Sequence, residues 1–107
     1  MSAVLAGNSP WVVSLTDPSP ALEIALLKQT VILSWNQFVY AEGGDDELRI
    51  AFASHDVVVK GGGLQILLPA IAAHRVVSIR ESLRSERFSG QAVRFISEIV
   101  VRKIEVE

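Results

Sequence analysis

The alternation of apolar and polar positions is clearest between Leu48 and Glu81. Leu48, Ile50 and Phe52 alternate with Arg49, Ala51 and Ala53, the period of a strand with one buried face. Ser54-His55-Asp56 interrupts the run with side chains that favour turns. The stiff, β-branched run Val57-Val58-Val59 then predicts a second strand, covered on both faces or held at a dimer contact, and joined to the first as a hairpin around residues 53–56. Gly61, Gly62 and Gly63 end that strand and allow a sharp change of direction. Leu64, Ile66, Leu67, Leu68 and Ile71, with Ala70, Ala72 and Ala73, predict a helix of roughly two and a half to three turns. It is apolar nearly all round, so burial on more than one side is expected. Pro69 is costly in a helix interior but tolerated in a first turn, which places the true start near Leu67 or Leu68, or else a kink. His74-Arg75 suits the helix C-terminus, and Val76, Val77 and Ile79 return as a strand.

The flanking segments continue the pattern. Residues 1–10 read as weakly ordered, and Trp11–Thr16 as a first strand on a sheet edge. Asp17-Pro18-Ser19-Pro20 is a helix-start signal, with Asp17 or Ser19 as N-cap, and Ala21–Gln29 follows as a short helix; an extended conformation is the alternative. Thr30–Glu42 reads as one strand, with Val31, Leu33, Trp35, Val39 and Ala41 on the core face and Ile32, Ser34, Asn36, Phe38, Tyr40 and Glu42 opposite. Gly43-Gly44-Asp45-Asp46 is a hairpin turn. Residues 82–90 are a polar loop or one helical turn, anchored by Leu83 and Phe88. The tract Ala92–Val106 reads as one long strand, or two with a bulge near Ser97-Glu98, with a helix over 91–98 as the alternative. The expected fold is a single α+β domain over residues 1–107, a mostly antiparallel sheet of about five to six strands with one or two short helices on one face.

Composition sharpens this picture. The chain has 107 residues, half of them apolar and 21% charged, with a mean hydropathy of +0.36. That excludes general disorder and leaves more apolar surface than a small monomer easily hides, so self-association is expected, a dimer first. No apolar run approaches the roughly 20 residues of a membrane span, and the start MSAVLAGNSPW lacks the basic opening of a secretory signal. No membrane association and a cytoplasmic location are therefore expected. With no cysteine there is no disulfide, thiolate metal site or cysteine nucleophile. The net charge of −2 is uneven: residues 1–53 carry −4 and residues 54–107 carry +2. That basic excess is weaker than nucleic-acid surfaces usually need.

Few constellations suggest chemistry. Lys60-Gly61-Gly62-Gly63 lies between strand and helix, where backbone amides can meet phosphate, but it matches neither established glycine-rich nucleotide motif. His55 and His74 lack metal-ligand spacing. Glu42, Asp45, Asp46 and Glu47 read as a solvated hairpin tip and lack calcium-loop spacing. Arg75, Arg80, Arg84, Arg87 and Arg94 form a basic stretch diluted by Glu81, Glu86 and Glu98. No nucleophile–base pair is visible and no cofactor is expected. The reading is a non-enzymatic, self-associating interaction or accessory domain, with Phe38, Tyr40, Val58 and Val101 as candidate interface residues. A small-ligand or phosphate-binding domain using Lys60, Gly61, Gly62, Gly63, His55, Arg84 and Arg87 is the first alternative. A nucleic-acid accessory protein using residues 75–94 is the second.

Overall fold

A computed structural model of the chain describes residues 10–81 and 95–104. Among these residues the sequence forms eight strands: β1 (Trp11–Val13), β2 (Ala21–Ala25), β3 (Thr30–Ser34), β4 (Phe38–Gly43), β5 (Glu47–Phe52), β6 (His55–Gly62), β7 (Val76–Arg80) and β8 (Phe95–Lys103). One short helix, α1 (Leu67–Ala72), lies between β6 and β7. The strands form two four-stranded sheets rather than one sheet of five or six. The first sheet has the order β1-β7-β2-β3 and the second β4-β5-β6-β8. All pairings are antiparallel except β2 with β7, which run parallel. Both sheets contribute to one hydrophobic core, with Leu22, Ile24 and Ile79 from the first, Leu48, Ile50, Val57, Val59 and Ile96 from the second, and Leu67 and Ile71 from α1.

The expected helix over 21–29 is instead the strand β2 and a tight turn. Leu22 and Ile24 are fully buried while Glu23 between them is exposed. That period-2 burial between β7 and β3 outweighs the helix preference of Ala and Leu. Asp17 and Ser19 accordingly cap no helix. The Asp17 amide donates to the Ser14 hydroxyl at 3.1 Å and the Ser19 hydroxyl donates to the Ala21 carbonyl at 2.7 Å. The turn closes where the Leu26 amide donates to Gln29.

Residues 30–42 are not one strand. A 3-10 turn at Trp35–Gln37, capped by the Ser34 hydroxyl accepting from the Asn36 amide, carries the chain from the first sheet to the second. Three residues of turn reset the side-chain phase. Val39, expected in the core, is 61% exposed, whereas Phe38, expected outside, packs against the core. The crossover is tied to both sheets. The Trp35 amide donates to Pro20, and the Gln37 carbonyl accepts from Ala53.

Two further boundaries move. His55 and Asp56 belong to β6, leaving Ala53-Ser54 as the turn. Gly61 and Gly62 do not end β6 but extend it. Opposite them the register steps from Lys60↔Glu98 to Gly61↔Ile96, so Ser97 is an extra residue in β8 and a β-bulge forms. Its hydroxyl donates to the Lys60 carbonyl at 3.1 Å. A Cβ at residue 61 would run into the Phe95 backbone, which is why this close approach needs glycine. β8 is one strand, and residues 95–98 are not helical; residues 91–94, the rest of the alternative helix, lie outside the described residues, as does the loop 82–90.

A 3-10 turn, Leu64–Ile66, precedes α1, which places Pro69 in the helix's first turn, where its missing amide costs no helical bond. Burial is confined to one side. Leu64, Leu67, Ala70 and Ile71 are buried, while Ile66, Pro69 and Ala72 are exposed. The helix ends at His74, the non-glycine residue with φ of 57°, a left-handed conformation that stops helices and usually falls to glycine. The Arg75 amide donates to Ala70 and the His74 amide to Ile71. The His74 ring stacks on Trp35 at 5.1 Å and 11° and meets Phe38 edge-on at 5.4 Å. Removing that ring while keeping a Cβ therefore loses the stack and keeps the strain. We expect His74→Ala to destabilise the fold by about 1 kcal/mol in urea unfolding. His74→Gly, which relieves the left-handed strain, is expected to be the more stable of the two.

Candidate functional site

Alternation along β4, β5, β6 and β8 sends one set of side chains to the core and the other to the outer face of the second sheet. The register sets this outer face in rows. Glu42, Arg49, Val58 and Val100 form one, Tyr40, Ala51, Asp56 and Arg102 the next, and Glu47, Lys60 and Glu98 a third. Arg49 reaches diagonally to Asp56, donating through Nε at 3.0 Å, and its guanidinium lies 5.9 Å from the Tyr40 ring centroid. The hydrogen bond that Arg49 donates to Asp56, then the Asp56 charge, pushes the Arg49 guanidinium up from its ordinary value. Opposite charges directly across strands support the sheet. Lys60, between Glu47 and Glu98 in register, belongs to this lattice of charges.

The glycine loop is built into the fold by its own amides. The Gly61 amide donates to the Asp46 carbonyl at 3.0 Å, the Leu64 amide to the Asp45 carbonyl at 3.0 Å, and the Gly63 amide to the Asp45 carboxylate at 3.3 Å. These three amides are thus bonded to the β4–β5 turn, with the Asp45 carboxylate beside Gly63. His55 lies at the other end of β6, with its Nδ1 2.7 Å from the Ser54 hydroxyl, and the Asp56 carboxylate is committed to Arg49. The loop and His55 are not brought together, and Arg84 and Arg87 lie outside the described residues. Among the described residues no group of three or more His, Asp or Glu side chains is placed to hold a metal ion.

The four candidate interface residues separate into two pairs. Tyr40, 41% exposed, and Val58 stand on the outer face, whereas Phe38 and Val101 pack against the core. Sequence reasoning passed over two partners of this surface, Val100 and Ile104, which are 37% and 42% exposed. It also missed Glu81, whose role no local pattern announces. One carboxylate oxygen of Glu81 accepts from the Leu27 amide at 3.1 Å and the other from the Ile99 amide at 2.9 Å, so a single side chain joins a turn of the first sheet to an edge strand of the second.

That contact also fixes the orientation of β8. Because the Ile99 amide turns to Glu81, it does not turn to β6, and backbone groups alternate sides along an antiparallel strand. Ile104, of the opposite parity, donates to Ser54 on the β6 side at 2.9 Å. Val101 and Lys103, of the same parity as Ile99, therefore aim their amides and carbonyls away from β6. In the sheet order β8 is an edge, and no described strand pairs there. A hollow of about 460 Å³ lined by Asp56, Arg102, Lys103 and Ile104 adjoins this end. No helix among the described residues is long and apolar enough to cross a membrane.

Glu81→Ala leaves two amides without their acceptor, and hydrogen bonds to charged groups contribute about 1.5–3 kcal/mol each. Leu27 is exposed and recovers water, so the expected loss is about 2 kcal/mol in urea unfolding, with faster hydrogen exchange at the Ile99 amide as the local signature. Comparisons with family models, with curated proteins and with solved structures returned no match for this chain.

Proposed function

We propose that the protein is a non-catalytic interaction domain that assembles by strand addition along the C-terminal half of β8, with a second copy of the chain as its first partner. The observation that carries this reading is the outward-facing backbone of Val101 and Lys103 on an edge strand. Unpaired edges recruit further strands unless something blunts them, and main-chain hydrogen bonds then supply the affinity while alternate side chains supply the fit. Val100 and Ile104 offer apolar contacts on the outer face beside that edge.

Glu81 limits the assembly. Its carboxylate occupies the edge at Ile99, so pairing is confined to residues beyond it, and a short pairing makes a weak complex. Concentration-dependent dimerisation is the expected behaviour. The test is light scattering on the eluting protein over a wide dilution range, for the wild type and for Lys103→Pro. Proline at residue 103 removes an outward amide without removing a donor to β6. We expect a dimer that dissociates on dilution, and at least a tenfold weaker association in the variant. A wild-type monomer at every concentration, or identical assembly in both proteins, would contradict the reading.

A further inference from the structure

The recess between β1 and α1 is lined by no residue of β8. Its walls are apolar, with Trp11 and Val13 from β1 on one side and Ile66, Leu67, Pro69 and Ala70 from the helical segment on the other. At about 220 Å³ it holds roughly seven water volumes of about 30 Å³ each, which is smaller than the pockets that take drug-sized molecules. Arg75 completes the lining.

The arginine gives the recess its chemistry. One guanidinium nitrogen of Arg75 donates to the Ser14 carbonyl at 3.0 Å, which fixes the head group, and the remaining N–H donors of the planar fork are free to point elsewhere. No carboxylate among the described residues lies within ion-pair distance of it. A half-buried guanidinium beside an apolar recess favours an anion at that position, and its geometry suits a planar carboxylate. Apolar walls and a single cationic end together define a small amphipathic ligand.

We propose that this recess binds a monocarboxylate with a short apolar tail, the tail against Trp11 and Leu67 and the carboxylate on Arg75. The site owes nothing to the β8 edge and stands or falls separately from assembly.

The probe is hexanoate, titrated into the ¹⁵N-labelled full chain, with hexan-1-ol and inorganic phosphate as controls. Saturable shifts confined to Val13, Ile66, Leu67, Ala70 and Arg75 are expected at millimolar hexanoate, with hexan-1-ol several-fold weaker and phosphate weaker still. Arg75→Gln is expected to weaken hexanoate about tenfold. Since Arg75 also holds Ser14, a second variant guards against misfolding. Ile66 is 52% exposed, so Ile66→Glu spares the core and is expected to abolish hexanoate binding by repelling the carboxylate. Shifts that do not saturate or spread over the surface would overturn the proposal, as would equal affinity for hexan-1-ol or unchanged binding in Ile66→Glu. The same residues shifting with protein concentration alone would also overturn it, because a second copy would then fill the recess.

Discussion

Trp35 is where the two sheets become one structure. It is 2% exposed, and its indole nitrogen donates to the Val76 carbonyl of β7 at 3.0 Å. Its ring meets Phe38 and Phe52 of the second sheet and His74 at the end of the helix, all within 5.5 Å between centroids. A buried indole must find an acceptor, and the acceptor it finds lies on the opposite sheet from Phe38 and Phe52. The crossover turn, the helix terminus and both sheets are therefore set by one side chain. The left-handed backbone of His74 costs free energy that the stack on Trp35 offsets.

With the sheets joined there, a second constraint acts at the β8 edge. Closing a core between two open sheets leaves edges, and an edge strand exposes backbone groups that must meet water, a side chain or another chain. Glu81 meets one such group on β8 and simultaneously one in the β2–β3 turn. Beyond Ile99 no described side chain does the same for the outward groups of β8. On the outer face of the second sheet Arg49 pairs with Asp56, and Lys60 stands opposite Glu47 in register, so these charges are matched across strands. The contrast between this satisfied face and the partly satisfied edge makes the edge the more informative feature.

Much of the second sheet was legible in the sequence, because β5, β6 and β8 announce themselves by alternation and β-branched residues. The helix after Gly63, its irregular start before Pro69 and the return strand β7 were legible for the same reason. The first sheet was less so. Ala21–Gln29 is built of helix-preferring residues, and its strand conformation comes from neighbours distant in sequence, β7 among them. The break at Trp35–Gln37 was hidden because no glycine or proline marks it. The glycines 61–63 offered phosphate binding only as an alternative to a plain connection, and local composition does not reveal that the Gly61 and Gly63 amides bond to Asp46 and Asp45. Glu81 was illegible because its partners are 54 and 18 residues away.

Amide hydrogen exchange along β8, followed by NMR as protein concentration rises, tests the central claim most directly. In dilute solution Val100 and Arg102, bonded to β6, are expected to be protected while Val101 and Lys103 exchange quickly. On concentration, protection is expected to rise at Val101 and Lys103 and to stay constant at Val57 and Val59 inside the sheet. Exchange at Val101 and Lys103 that is independent of concentration would contradict assembly along this edge.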